Sequence, residues 1–230
     1  TRRLLYAMPV DGPPRVVWEP KTGVVAAARL STRGGHVAFV RESPAEAPEA
    51  YLLDLAGGEP ARVSRANVDL PMPPLGETRR LRWKAPDGLE IEGLLTYPAD
   101  YQAGKKYPMV LVIHGGPHGQ FSENFIGRHG QYPYAAFAAR GYAVLRANPR
   151  ASTGYGKAFR LAGWNDWGGG DYQDLMAGVD HVIAIGVADP DRMAVMGWSY
   201  GGYMTSWVIT HTQRFKAAAV GAGVSNIWSQ

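Results

Sequence analysis

Ser199 is the residue of this sequence best placed to do chemistry. It lies in Gly197-Trp198-Ser199-Tyr200-Gly201, a G-x-S-x-G pentapeptide. Residues 192–196 before it read as a short apolar strand. Residues 201–211 after it read as a helix with Tyr203, Met204, Trp207 and Val208 on one side. A serine on a sharp strand-to-helix turn presents its hydroxyl clear of the sheet, beside helix amides that favour a developing negative charge. Small neighbours relieve the crowding around such a backbone. The plainer alternative is a glycine-rich turn whose serine caps the helix.

A nucleophile for acyl transfer needs an oxyanion hole. His114-Gly115-Gly116-Pro117-His118-Gly119 follows the apolar run 109–113 and comes about 80 residues before the elbow. In α/β-hydrolases one donor is the amide after the nucleophile, here Tyr200, and the other comes from a glycine-rich loop of this type. A third stretch, residues 148–157 (Asn-Pro-Arg-Ala-Ser-Thr-Gly-Tyr-Gly-Lys), sits where an active-site loop of an open sheet is expected. It is not a phosphate loop, because Ala158 stands where Ser or Thr is required and the glycine spacing is wrong. Arg150 reads as a structural anchor. Residues 167–171 (Trp-Gly-Gly-Gly-Asp) read as a loop and helix start, with Asp171 or a near neighbour as cap.

The base is missing. In this fold the order is Ser, then Asp or Glu, then His. No Asp or Glu follows Ser199, and the only later histidine, His211, is 12 residues on. Along a helix that is about 18 Å, beyond hydrogen-bond reach. Asp171 and Asp174 precede the serine and have the wrong order. The six histidines form no H-E-x-x-H pair, and there are no cysteines, so neither a metal nor another cofactor is expected.

The elements that must position these residues change character along the chain. Residues 1–75 carry short apolar or alternating runs (4–10, 24–30, 36–41, 51–55) between Gly, Pro and Asp turns, an all-β signature. Residues 10–17 resemble residues 56–63 at an offset of 46–47, a period that fits a propeller blade. The alternative is an ordinary meander. A propeller needs typically four to eight blades, so fewer than two implies a chain that begins partway through a larger protein. Residues 66–76 read as a linker, and 77–85 with 89–97 as a hairpin across Pro86-Asp87-Gly88. From Tyr107 strands and helices alternate: strand 109–113, helix 132–140, strand 142–147, helix 171–185, strand 193–196, helix 201–211, strand 215–221. That order predicts a doubly wound, mainly parallel sheet, incomplete at its C-terminal end.

The 230 residues are 46% hydrophobic and 19% charged with a net charge of +4, enough for a sizeable core. Arg79, Arg80, Arg82 and Lys84 alternate with apolar residues as the wet face of a strand, so no nucleic-acid partner is expected. No run approaches the 18 or more apolar residues of a membrane span, so no membrane partner is expected either. The oligomeric state stays open, a homo-oligomer included, as does the compartment.

From about residue 75 onward the sequence closely resembles the prolyl oligopeptidase family, in its acylaminoacyl-peptidase and dipeptidyl-peptidase branch. The matching residues are Lys105-Lys106-Tyr107-Pro108, His114 to Gly119, Asn148-Pro149-Arg150 with Ser152 to Gly156, Trp167-Gly168-Gly169 with Asp171-Tyr172, and Gly197 to Met204. Residues 1–75 resemble the end of the family's β-propeller, and 76–230 the N-terminal part of its α/β-hydrolase catalytic domain. The resemblance implies a serine peptidase acting on oligopeptides, with Ser199 as nucleophile and the Tyr200 and Gly116 N–H groups as oxyanion donors. It implies that Trp198 and Tyr200 shape the site and that Val224 and Ile227 line the pocket for the residue before the cleaved bond. The family's Asp and His lie well downstream of the serine, so a further segment is expected to complete the triad. A serine esterase or lipase on the same fold, and a non-catalytic binding protein if the chain ends at Gln230, are the competing readings.

Overall fold

The structure is a computed structural model that describes residues 3–128 and 130–225. The chain divides into two compact units, Thr1–Met72 with Ser122–Arg128, and Pro73–Phe121 with His129–Gln230.

The first unit is all β. Strands β1 (Leu5–Ala7) and β2 (Arg15–Trp18) pair antiparallel. Strands β3 (Val24–Leu30), β4 (His36–Ser43), β5 (Glu46–Asp54) and β6 (Ala61–Arg62) form a four-stranded antiparallel meander in that order. Leu5, Val25, Phe39 and Leu53 make a small core, on which Trp18 and Tyr51 pack. The repeated segments both fall on strands, β2 and β6, and each pairs with the strand before it across a turn. Ser122–Arg128 is held here by carboxylates: Glu123 accepts the Gly23 N–H (2.8 Å) and Glu42 accepts the Phe125 N–H (2.9 Å).

The second unit is a six-stranded mixed sheet in the order β12-β11-β9-β10-β8-β7. Its strands are β7 (Thr78–Lys84), β8 (Glu90–Thr96), β9 (Tyr107–Ile113), β10 (Ala143–Asn148), β11 (Ala188–Trp198) and β12 (Phe215–Gly221). Four of them, β10, β9, β11 and β12, run parallel, while β8 is antiparallel to both β10 and β7. Its helices are α1 (Tyr134–Ala139), α2 (Lys157–Leu161), α3 (Gly170–Ala184) and α4 (Tyr200–His211).

Strand β9 shows why its apolar run is unbroken. Met109, Leu111 and Ile113 enter one core with Leu175, Val179, Met204 and Val208 of α3 and α4. Val110 and Val112 enter another, against which Tyr134 and Phe137 of α1 pack. A strand covered on both faces has no polar alternation to show. Each such side chain contributes roughly 1.5–3 kcal/mol by leaving water. Trp83 of β7 closes one end. Its indole lies where a side chain at Gly93 or Gly178 would sit (2.6 Å from either ideal Cβ), and Nε1 donates to the Asp174 carbonyl at 2.9 Å.

Several boundaries differ from those the pattern predicts. Helix α1 starts at Tyr134 instead of residue 132, because Pro133 occupies its N-cap. Strand β11 starts at Ala188, not residue 193: Ala188 already pairs with Tyr107, and the register shifts before Met193. Helix α2 has too few residues to show a period.

Candidate active site

Ser199 stands exposed between β11 and α4. Its backbone is at φ 60°, ψ −122°, a conformation that costs a non-glycine residue about 1–3 kcal/mol. The surroundings hold it there. Ser199 N–H donates to the Gly221 carbonyl at 2.9 Å, and its carbonyl accepts the Tyr203 N–H at 3.0 Å. The small residues of the motif are required by contact. A Cβ on Gly197 would lie 2.2 Å from the Gly201 carbonyl oxygen, and one on Gly201 would lie 2.1 Å from that of Ile113. The serine is formally the helix N-cap, but its side chain makes no capping hydrogen bond. The capping alternative is therefore excluded, and the hydroxyl is left for other work.

The glycine-rich loop lies against this serine. An ideal Cβ on Gly115 would be 3.4 Å from Ser199 Cβ and 3.9 Å from Oγ. Gly116 has φ +131° and precedes a cis bond to Pro117; a side chain there would strike the backbone nitrogens of His118 and Gly119 at 2.3 and 2.4 Å. The loop is braced from both flanks. His114 Nδ1 donates to the Gly115 carbonyl at 2.8 Å, and Nε2 meets the Ser152 hydroxyl at 3.0 Å. Burial lowers the His114 pKa, which favours the neutral ring. With both nitrogens engaged, His114 serves the loop. His118 Nδ1 donates to the Ala151 carbonyl at 2.8 Å. Asn148 spans Phe121, accepting its N–H (2.7 Å) and donating to its carbonyl (2.9 Å). The stretch 148–157 is thus the buttress of the glycine-rich loop.

Two buried aspartates do work that the sequence order alone does not reveal. Asp171 is only 1% exposed. Its Oδ1 accepts the Gly168 and Tyr172 N–H groups, each at 2.8 Å, and Oδ2 accepts the Tyr200 hydroxyl at 2.5 Å. Burial raises its pKa against these bonds, and burial beside it pushes the Tyr200 phenol up. Asp171 does not cap its helix, whose N-cap is Gly169 without a side-chain bond. It clamps Tyr200, the residue that follows Ser199. Asp174 takes Arg150 through the backbone N–H (2.7 Å), Nε (2.9 Å) and Nη2 (2.8 Å), while Nη1 pairs with Asp87 at 2.8 Å. Arg150 is the anchor its position suggests.

The other predicted site residues are spread around the elbow. Trp198 is 45% exposed and its ring lies over Gly221, whose ideal Cβ would be 2.4 Å from it. Val224 is half-buried beyond β12. Ile227 lies outside the described residues. His211 Nδ1 donates to the Trp207 carbonyl at 2.8 Å and its ring stacks on Trp207 at the far end of α4, 4.0 Å between centroids. Among the described residues no group of three or more His, Cys, Asp or Glu is placed to hold a metal ion. Tyr132 escaped the sequence reading. Its hydroxyl donates to the Ile113 carbonyl at 3.1 Å, at the strand end from which the glycine-rich loop springs.

This geometry can be set beside known proteins. Residues 130–230 match the model of the prolyl oligopeptidase family. The chain resembles that family's members on both sequence and structure. It is 41% identical over 147 residues to YuxL, an uncharacterized peptidase of Bacillus subtilis, covering 64% of this chain and 22% of that protein. It is 36% identical over 197 residues to dipeptidyl aminopeptidase BIII of Pseudoxanthomonas mexicana, covering 82% of this chain and 28% of that one. The Pyrococcus horikoshii acylaminoacyl peptidase superposes with a TM-score of 0.81 at 29% identity, over 96% of this chain and 34% of that chain. The chain therefore spans between a fifth and about a third of these relatives.

Proposed function

We propose that the protein carrying this chain is a serine peptidase of the prolyl oligopeptidase type, cleaving short peptides through an acyl-enzyme on Ser199. The observation that carries this reading is the exposed, strained Ser199 with an uncommitted hydroxyl, 3.9 Å from the ideal Cβ position of Gly115 in the glycine loop. Ser199 Oγ adds to the scissile carbonyl. The oxyanion forms between the Tyr200 and Gly116 N–H groups, where each donor is worth about 2.7–4 kcal/mol in the transition state. Trp198 and Tyr200 shape the site, and Val224 lines the pocket for the residue before the cleaved bond. A histidine supplied from another part of the protein takes the serine proton, oriented by a carboxylate that stays ionised.

The sheet order, with cores on both faces of β9, supports a doubly wound α/β-hydrolase domain. The four-stranded meander and the repeated pairs β1–β2 and β5–β6 support the last part of a β-propeller before it. The test is turnover by the full-length protein of acyl-amino-acid and dipeptide anilides, abolished in Ser199→Ala. Hydrolysis of p-nitrophenyl esters without either anilide would move the assignment to an esterase.

A further inference from the structure

We propose that the cavity beside the oxyanion loop is the subsite for the leaving portion of the peptide, taking a bulky apolar residue whose free carboxylate meets Arg160. This rests on the serine peptidase reading above. The cavity has a volume of about 420 Å³, within the range of small-ligand sites. Pro117 and His118 of the loop bound one side, Arg160, Trp164 and Trp167 another, and Tyr203 of α4 a third.

Its position follows from the backbone. Pro117 directly succeeds Gly116, and the Trp167 ring packs edge-on against the Tyr200 ring at 5.1 Å. The two segments that supply the proposed oxyanion donors therefore flank it. A carbonyl carbon held at Ser199 has two further arms, the acyl residue and the departing nitrogen. In the sheet, β11 lies between β12 and β9. The chain leaving β12 carries Val224, assigned to the acyl residue. The loops leaving β9 and β10 carry Pro117, His118 and Ala151, which line the cavity. Each arm thus has its own side.

The lining gives the ligand's chemistry. Trp164 is 76% exposed, so its indole presents apolar surface to the cavity mouth without burying it in the fold. The Arg160 guanidinium makes no ion pair or hydrogen bond among the described residues. An aromatic or branched residue on the indole, with its carboxylate at the guanidinium, satisfies both. In the reaction the C–N bond breaks as the Ser199 ester forms. The amine leaves with the proton that the serine lost to the base, and departs as a free amino acid or short peptide.

The experiment compares, on the full-length protein, peptides with one acyl part and leaving residues Phe, Phe-amide or Gly. The expected kcat/KM is about tenfold higher for Phe than for Gly. Trp164→Ala removes that preference and Trp164→Phe keeps most of it. Arg160→Gln removes an advantage of about threefold of the free acid over the amide, modest because the cation is exposed. If the variants instead alter preference among acyl parts at a fixed leaving residue, or alter neither, the subsite assignment is wrong while the peptidase reading stands. If the folded wild type neither hydrolyses any of these peptides nor reacts with a fluorophosphonate, both fall together.

Discussion

Replacing Asp171 with alanine should loosen the Ser199 elbow from beneath. Its carboxylate is the shared acceptor of the Gly168 and Tyr172 N–H groups and the Tyr200 hydroxyl, at a site 1% exposed. A buried donor left unpaired costs about 1–3 kcal/mol. Three such losses are offset in part because burying the carboxylate was itself costly, so about 3 kcal/mol of destabilisation is expected. Asp171→Asn keeps the shape and an acceptor for the two amides, and should cost about 1–2 kcal/mol. Tyr200→Phe leaves Oδ2 unpaired and should cost a similar amount. The two conservative changes should combine sub-additively by about 1 kcal/mol, because each already breaks the same bond. Activity should fall as well, since the Tyr200 amide is a proposed oxyanion donor. A displaced donor should lower acylation by about tenfold, short of the roughly 10²–10³ for a deleted one. The assay is urea unfolding of the full-length variants alongside their rate of labelling by a fluorophosphonate. An alanine variant within 0.5 kcal/mol of wild type with undiminished labelling would refute the clamp.

Three further perturbations follow from the same contacts. Gly201→Ala places a Cβ 2.1 Å from the Ile113 carbonyl and should cost about 3 kcal/mol, read as a lower urea midpoint with loss of labelling. Asp174→Asn, by breaking the buried pair with Arg150, should cost about 3–5 kcal/mol, and Arg150→Lys should not restore the forked geometry in the same unfolding assay. In the first unit the Ser64 hydroxyl, the Asn67 and Ala66 N–H groups and Arg62 hold the Glu49 carboxyl down to about 2 from 4.5. Its contribution to stability is therefore complete above about pH 4.5 and is lost as the pH falls toward 2, so Glu49→Gln should flatten that limb of an acid-unfolding profile.

What was legible in the sequence was local. The elbow announces itself because strand, serine turn and helix are contiguous, and each glycine answers a backbone contact within reach of that turn. Strands β3 and β12 have the predicted bounds because their apolar runs end at turn residues. The glycine loop was legible through its place after a fully buried strand. The bracing was not. Asp171 and Tyr200 are 29 residues apart, and Arg150 and Asp174 are 24 apart. No spacing rule links such pairs until the sheet brings α3 against the ends of β10 and β11. The start of β11 was hidden because Asp189 and Arg192 pair with each other at 2.8 Å across Pro190, which reads as a loop. Tyr132 was unreadable for a similar reason, as its partner is a backbone carbonyl 19 residues away.

The central claim is that Ser199 is the nucleophile, and mapping a covalent adduct tests it most directly. The full-length protein, treated with a fluorophosphonate and digested, should carry one adduct by mass spectrometry, on the peptide containing Ser199, and Ser199→Ala should carry none. An adduct on a different serine, or none on a protein shown to be folded, would contradict the account.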